Sequence, residues 1–103
     1  MPDVSSSIDT RIVLTGPIHR ERLAELRRTL TNALEENPSH LHIQWEDPGL
    51  LDAAGLALLL AAYRQLAAED GRMTISGLTP ALTALFRLTG LEEYIDVRES
   101  DES

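Results

Sequence analysis

The sequence predicts an α/β domain whose sheet is mixed but mostly parallel, with elements in the order β-β-α-β-α-β-α-β. Three observations carry this expectation. Short segments with strand-like alternation recur along the chain, leucine-rich segments with helical spacing lie between the later ones, and Gly-Pro, Asn-Pro and Thr-Pro pairs mark the joins. Strands joined through helices imply right-handed crossovers and parallel neighbours. At 103 residues the chain is one domain, long enough for one core and too short for two. That domain is expected over 1–98, with 99–103 as an acidic, disordered tail.

The elements follow in order. Val4–Ile8 is a weak strand candidate, separated by Asp9-Thr10 from a better one at Arg11–Thr15, and the two make a candidate hairpin with the first strand at the sheet edge. Gly16-Pro17 breaks the chain. A helix is expected over Arg20–Glu36, where Leu23, Leu26, Leu30 and Leu34 form one apolar stripe, and Asn37-Pro38 ends it. In Leu41–Trp45 three apolar residues alternate with His42 and Gln44, as in a strand with one buried face. After the loop Glu46-Asp47-Pro48-Gly49, Leu50-Leu51 returns to the interior and Asp52 stands where an N-cap carboxylate belongs.

The second helix is expected to run to about Asp70, with Gly71 as its left-handed cap. Arg72–Ser76 reads as a short strand and Gly77-Leu78 as a turn. Thr79-Pro80 opens a third helix, N-cap followed by proline at its first position, with Leu82, Leu85, Phe86 and Leu88 as its buried stripe. Thr89-Gly90 closes it, and Tyr94–Arg98 is the last strand.

Composition narrows the function classes. Net charge is −8 and all nine basic residues are arginine, with no basic stripe interleaved with aromatics, so binding to nucleic acid is not expected. No apolar run approaches the roughly 20 residues that cross a bilayer, and Met1–Ser7 lacks the basic and apolar regions of a secretory signal. Without cysteine there is no disulfide framework and no thiolate metal site. A cytoplasmic protein without membrane insertion fits these absences.

Asp52–Tyr63 departs most from a simple amphipathic pattern, since no polar residue follows Asp52 before Arg64. With Leu56 at 0° and about 100° per residue, Arg64, Gln65 and Glu69 mark the water-facing sector. Leu56, Leu59, Leu60, Ala62, Tyr63, Leu66 and Ala67 fill the core sector. Ala54, Ala57, Leu58 and Ala61 fall in the water-facing one, an apolar patch with Leu58 as its large side chain. Such a patch is read as a contact surface. Gly55, so early in a helix, implies a close approach by another part of this chain or by a partner.

No catalytic set converges in the sequence, so an enzyme is not expected, and nothing resembles a phosphate-cradling loop or implies a cofactor. His40 and His42 share a strand face, a placement that could suit a metal, yet no third ligand is evident and no metal site is expected. His19 and Ser5-Ser6-Ser7 read as surface groups.

Asp52-Ala53-Ala54-Gly55-Leu56 opening a helix, then Met73-Thr74-Ile75-Ser76 and Leu88-Thr89-Gly90-Leu91, stand in the order and spacing of a known family. The stretch from Leu41 to Val97 resembles the STAS domain of bacterial anti-sigma factor antagonists and sulphate-transporter tails, and Leu14-Thr15-Gly16-Pro17-Ile18 extends the likeness to about 90 residues. In antagonists of the family the second hydroxyl residue of the Asp-Ser-Ser-Gly-Leu motif is phosphorylated by a kinase that is also the anti-sigma factor. The unphosphorylated antagonist binds that kinase. Here the position is Ala54 and its neighbour is Ala53, so the resemblance implies docking without the phospho-switch.

The resemblance implies a GHKL-type serine kinase/anti-sigma factor as partner, docked on the loop and helix start at 47–62 through Asp52, Ala53, Ala54, Gly55, Leu56 and Leu58. The alternative is an accessory subunit that binds the ATPase of a bacterial phospholipid-transport ABC system, as small STAS subunits do. The same patch would also serve a homodimer. Whether Ala54 is natural or engineered is left open by the sequence. Thr79 and Thr83 read as capping and surface residues rather than substitute phosphoacceptors.

Overall fold

A computed structural model describes residues 8–49 and 51–100. It contains β1 (Asp9–Thr15), α1 (Leu23–Leu34), β2 (His40–Glu46), α2 (Ala53–Ala68), β3 (Arg72–Leu78), α3 (Pro80–Leu88) and β4 (Asp96–Glu99), with single 3₁₀ turns at Arg20–Arg22 and Leu91–Glu93. Among the described residues four strands lie in chain order, β1-β2-β3-β4, and each of their pairings is parallel. Adding parallel strands in one direction through right-handed crossovers places the three connecting helices on one face of the sheet. The α/β class and the alternation of strands with helices are as the sequence predicts. The candidate strand at Val4–Ile8 lies outside the described residues except for Ile8, which precedes β1 in irregular backbone.

The core lies between this face and the helices. Leu41, Ile43 and Trp45 on β2 and Met73 and Ile75 on β3 point inward and are buried, against Leu26 and Leu30 of α1, Leu59 and Leu66 of α2 and Leu82 and Phe86 of α3. The other face is polar: Asp9 and Arg11, His40 and His42, Arg72 and Thr74 occupy the alternate positions of their strands. Parallel sheets are usually covered on both faces. Among the described residues the alternation in β1 and β2 puts no apolar side chain on the second face apart from the exposed Val13.

Several boundaries differ from the sequence expectation, each for a local reason. Asp9 and Thr10, read as a break, belong to β1. Thr10 is buried because its hydroxyl donates to Glu36 Oε1 across 2.9 Å, which satisfies the polar group that had argued for a turn. β3 runs through the expected turn at Gly77-Leu78, where the register with β4 shifts and Gly77 takes φ +89°. A Cβ there would collide with the Trp45 carbonyl oxygen. Asp70, with φ +63°, supplies the left-handed residue expected of Gly71. Gly71 is needed instead for space, since a Cβ would lie 3.1 Å from the Leu66 carbonyl oxygen.

On α3, Leu88 is 85% exposed although assigned to the buried stripe. About 100° per residue turns it away from Leu82 and Phe86. The last strand starts at Asp96 rather than Tyr94, which is exposed beyond the Leu91–Glu93 turn. Glu99, assigned to the tail, pairs with Leu78 in β4, and the Ser100 amide donates to the Leu78 carbonyl. The rest of the expected tail, 101–103, lies outside the described residues.

Candidate functional site

The stretches 47–49 and 51–62 are positioned by a join between two loops at the C-terminal ends of β1 and β2. Trp45 Nε1 donates to the Gly16 carbonyl at 2.8 Å, and the Gly16 amide donates to the Glu46 carbonyl at 2.8 Å. Arg22 Nη1 donates to the carbonyls of Thr15 and Pro17, at 2.6 and 3.0 Å. Leu51 then forms a parallel bridge with Ile18, and the Asp52 amide donates to the Ile18 carbonyl. The Gly16–Ile18 turn is thus a platform on which the start of α2 rests.

Gly55 is buried, and its role comes from within the chain. A Cβ there would sit 2.9 Å from Ile18 Cγ2 and 3.0 Å from Leu51 Cδ1. The close approach that the sequence left open is made by Ile18 and Leu51. Gly55 therefore shapes the site from beneath and presents no side of its own to a partner.

Asp52 has the extended backbone of an N-cap, and its carbonyl accepts from the Leu56 amide at 3.0 Å. Its carboxylate makes no capping hydrogen bond, contrary to the sequence expectation. The neighbouring helix shows the contrast: Thr79 Oγ1 accepts from the Leu82 amide at 3.2 Å, as an N-cap should. Thr83, expected at the surface, is buried with its hydroxyl donating to the Thr79 carbonyl.

The exposed stripe of α2 consists of Ala53, Ala54, Ala57 and Ala61, followed by Arg64, Gln65 and Ala68. These positions span one sector of the wheel, so the fully exposed side chains of the first turns are all methyl groups. Leu58 does not belong to that stripe. It is half-buried, packs against the core and, with Leu30 and Leu34 of α1, lines the groove between α1 and α2. Leu56 is also half-buried against the core. Of the six site residues read from the sequence, Ala53 and Ala54 are exposed, Asp52, Leu56 and Leu58 are half-buried, and Gly55 is buried.

Wheel geometry could not separate Leu58 from its neighbours because it sits at the sector edge, and the position of α1 decides which way that edge faces. Pro17 is exposed beside Gly49, a neighbour the sequence does not indicate. A Cβ on Gly49 would lie 3.2 Å from the Pro17 ring, so the loop needs that glycine in order to close. Its signal was the Gly16-Pro17 break, which marks a turn but not its neighbour in space.

Away from this surface, on the polar sheet face, one metal-compatible group occurs among the described residues: Asp9, His40 and His42. The imidazoles of His40 and His42 stack with centroids 3.8 Å apart. Burial first, then the nearby His42 and Arg72, holds the His40 imidazole below its ordinary pKa. The sequence placed the two histidines on one face but missed Asp9, which the β1–β2 register brings opposite His40.

Comparison with known proteins agrees with this architecture. A family model described as "Mlab, STAS domain" matches residues 3–99. The anti-sigma-B factor antagonist of Bacillus subtilis (strain 168) is 26% identical over 100 residues, covering 97% of this chain and 82% of that protein. The protein of the same name from Staphylococcus aureus (strain NCTC 8325 / PS 47) is 27% identical over 87 residues, covering 84% and 81%. Two solved structures share the fold. The anti-sigma factor antagonist SpoIIAA in its unphosphorylated form superposes with a TM-score of 0.66 at 18% identity, covering 92% of this chain and 80% of that one. The Bacillus cell fate determinant SpoIIAA in its phosphorylated form gives 0.69 at 20%, covering 92% and 84%.

Proposed function

The chain belongs to the STAS domain family, and on that premise we propose that it is a non-enzymatic regulatory binding module of the anti-sigma factor antagonist type. It docks on a serine kinase/anti-sigma factor of the GHKL class through the surface at 47–62, and it acts in the cytoplasm. Among the described residues no helix is long and apolar enough to cross a membrane. The observation that carries the reading is the exposed alanine stripe Ala53, Ala54, Ala57 and Ala61 at the start of α2. It sits on a platform fixed by Trp45, Arg22 and Ile18.

The physical basis is shape and dryness. A surface of methyl groups on a rigid helix lets a partner approach closely and costs no polar desolvation. A charge placed at its centre would have to be buried unpaired on binding, which is strongly unfavourable. A phosphate at this position would add about two negative charges and act against binding in this way. At Ala54 there is no hydroxyl to modify. Thr79 and Thr83 are poor substitutes, one engaged in capping and the other buried.

A second reading, supported by the same two alanines, is an accessory subunit that docks on the ATPase of a phospholipid-transport ABC system, a role that needs contact without phosphorylation. Affinity capture from the native host distinguishes the two, with wild type compared against Ala54→Asp. A GHKL-type kinase recovered with wild type and lost with the variant supports the first reading, and a transporter ATPase supports the second. A partner list unchanged by Ala54→Asp removes the docking surface from this helix.

A further inference from the structure

The face of the sheet opposite the helices carries a second site, at the N-terminal ends of the strands and so at the far end from the docking surface. We propose that Asp9, His40 and His42 form a binding site for a divalent transition-metal ion of the zinc type. The parallel register sets Asp9 directly opposite His40, and the two-residue period of β2 puts His42 on the same face. Ligand atoms of the three residues all lie within 4.8 Å of one another.

His42 Nε2 and Asp9 Oδ2 are 3.9 Å apart. That is too far for a hydrogen bond and close to the separation of about 3.4 Å between two ligands on one tetrahedral zinc ion. The two imidazoles stack with their planes 30° apart, which keeps their nitrogens near one another. Asp9 is exposed, so rotation of its side chain closes the remaining gap without disturbing the sheet.

The surroundings are also those of a metal-binding histidine. His40 Nε2 lies 2.7 Å from Thr74 Oγ1 on β3, which holds the ring and leaves Nδ1 for the ion. Thr74 is buried and directly opposite His42, so this support is fixed by the β2–β3 pairing. Two imidazoles with one carboxylate select zinc, nickel or copper over magnesium or calcium, which favour oxygen-rich sites. Arg11 and Arg72 are paired with His42 and His40 in the register. Net negative charge therefore does not draw the ion in, and directed nitrogen ligands do. Three protein ligands leave a fourth position for water or an exogenous group.

The test uses the whole chain stripped with a chelator and titrated with zinc by calorimetry, alongside nitrogen-15 spectra of the histidine rings. One zinc per chain is expected, with the ring nitrogens of His40 and His42 shifting and those of His19 unmoved. His42→Gln is expected to weaken binding by at least about tenfold, and Thr74→Val, which removes only the supporting hydroxyl, by about tenfold. Magnesium is expected to give no heat. Asp9→Asn changes an exposed side chain and keeps the test valid if a histidine variant fails to fold. Absence of zinc binding by wild type, or equal binding by wild type and both His42→Gln and Asp9→Asn, overturns the site.

Discussion

Gly55 shows most clearly how this site is built. Alanine is the better helix former by about 1 kcal/mol, yet its methyl group would press on Ile18 Cγ2, a branched side chain already 1% exposed. Overpacking costs about 1–3 kcal/mol, so Gly55→Ala should lower stability by about 1 kcal/mol, read as a lower urea midpoint at unchanged slope. A gain in stability would mean that the platform is softer than described. Asp52 and Thr79 form a second residue-scale pair. Thr79→Ala removes a hydrogen-bonded cap and should cost about 1 kcal/mol, whereas Asp52→Ala should stay within about 0.5 kcal/mol because its carboxylate caps nothing. Equal losses in the two variants would show that Asp52 does cap α2 in solution. The sequence placed both residues correctly at helix starts. It could not reveal which side chain turns toward its amides, because that depends on the loop entering the helix.

At the scale of the element, α2 has three environments rather than two faces. Gly55, Leu59, Ala62 and Leu66 are buried, Leu58 and Ala61 line the groove against α1, and Ala53, Ala54 and Ala57 meet solvent. A surface variant should therefore be made on the stripe. Ala57→Arg is expected to keep the thermal midpoint within a few degrees and to reduce partner affinity by at least tenfold, about 1.4 kcal/mol. Leu58→Glu is expected to cost about 1–3 kcal/mol of stability by placing a charge in the α1–α2 groove, so its loss of binding would not isolate the interface. A stable Leu58→Glu protein would contradict this placement. Helix existence and the apolar character of this stretch were legible from periodicity. The direction of Leu58 was not, because it is set by a neighbour 24 to 28 residues earlier in the chain, at Leu30 and Leu34. The same limit explains Leu88, where a run of leucines suggested a continuous stripe and helical rotation exposed its last member.

For the whole molecule, the three helices on one face of the sheet leave two separate surfaces: the alanine stripe proposed for docking, at the C-terminal ends of the strands, and the histidine face at their N-terminal ends. The parallel order and its crossovers were legible in the sequence, because strands and helices alternate and each join carries a turn signal. The polar second face was visible only in part. Period-two alternation put His40 and His42 together, but Asp9 joins them through a register that pairs residues 31 positions apart. The central claim is that the docking surface remains while its phosphate trigger is absent. It is tested most directly by measuring the affinity of the partner kinase for this chain before and after incubation with ATP, beside Ala54→Ser, with intact mass recorded for each. The expected result is a wild-type complex that ATP leaves intact, with no phosphate on residues 52–56, and an Ala54→Ser protein that gains one phosphate and dissociates. A wild-type complex that ATP dissolves, or a kinase that binds neither protein, would contradict the account.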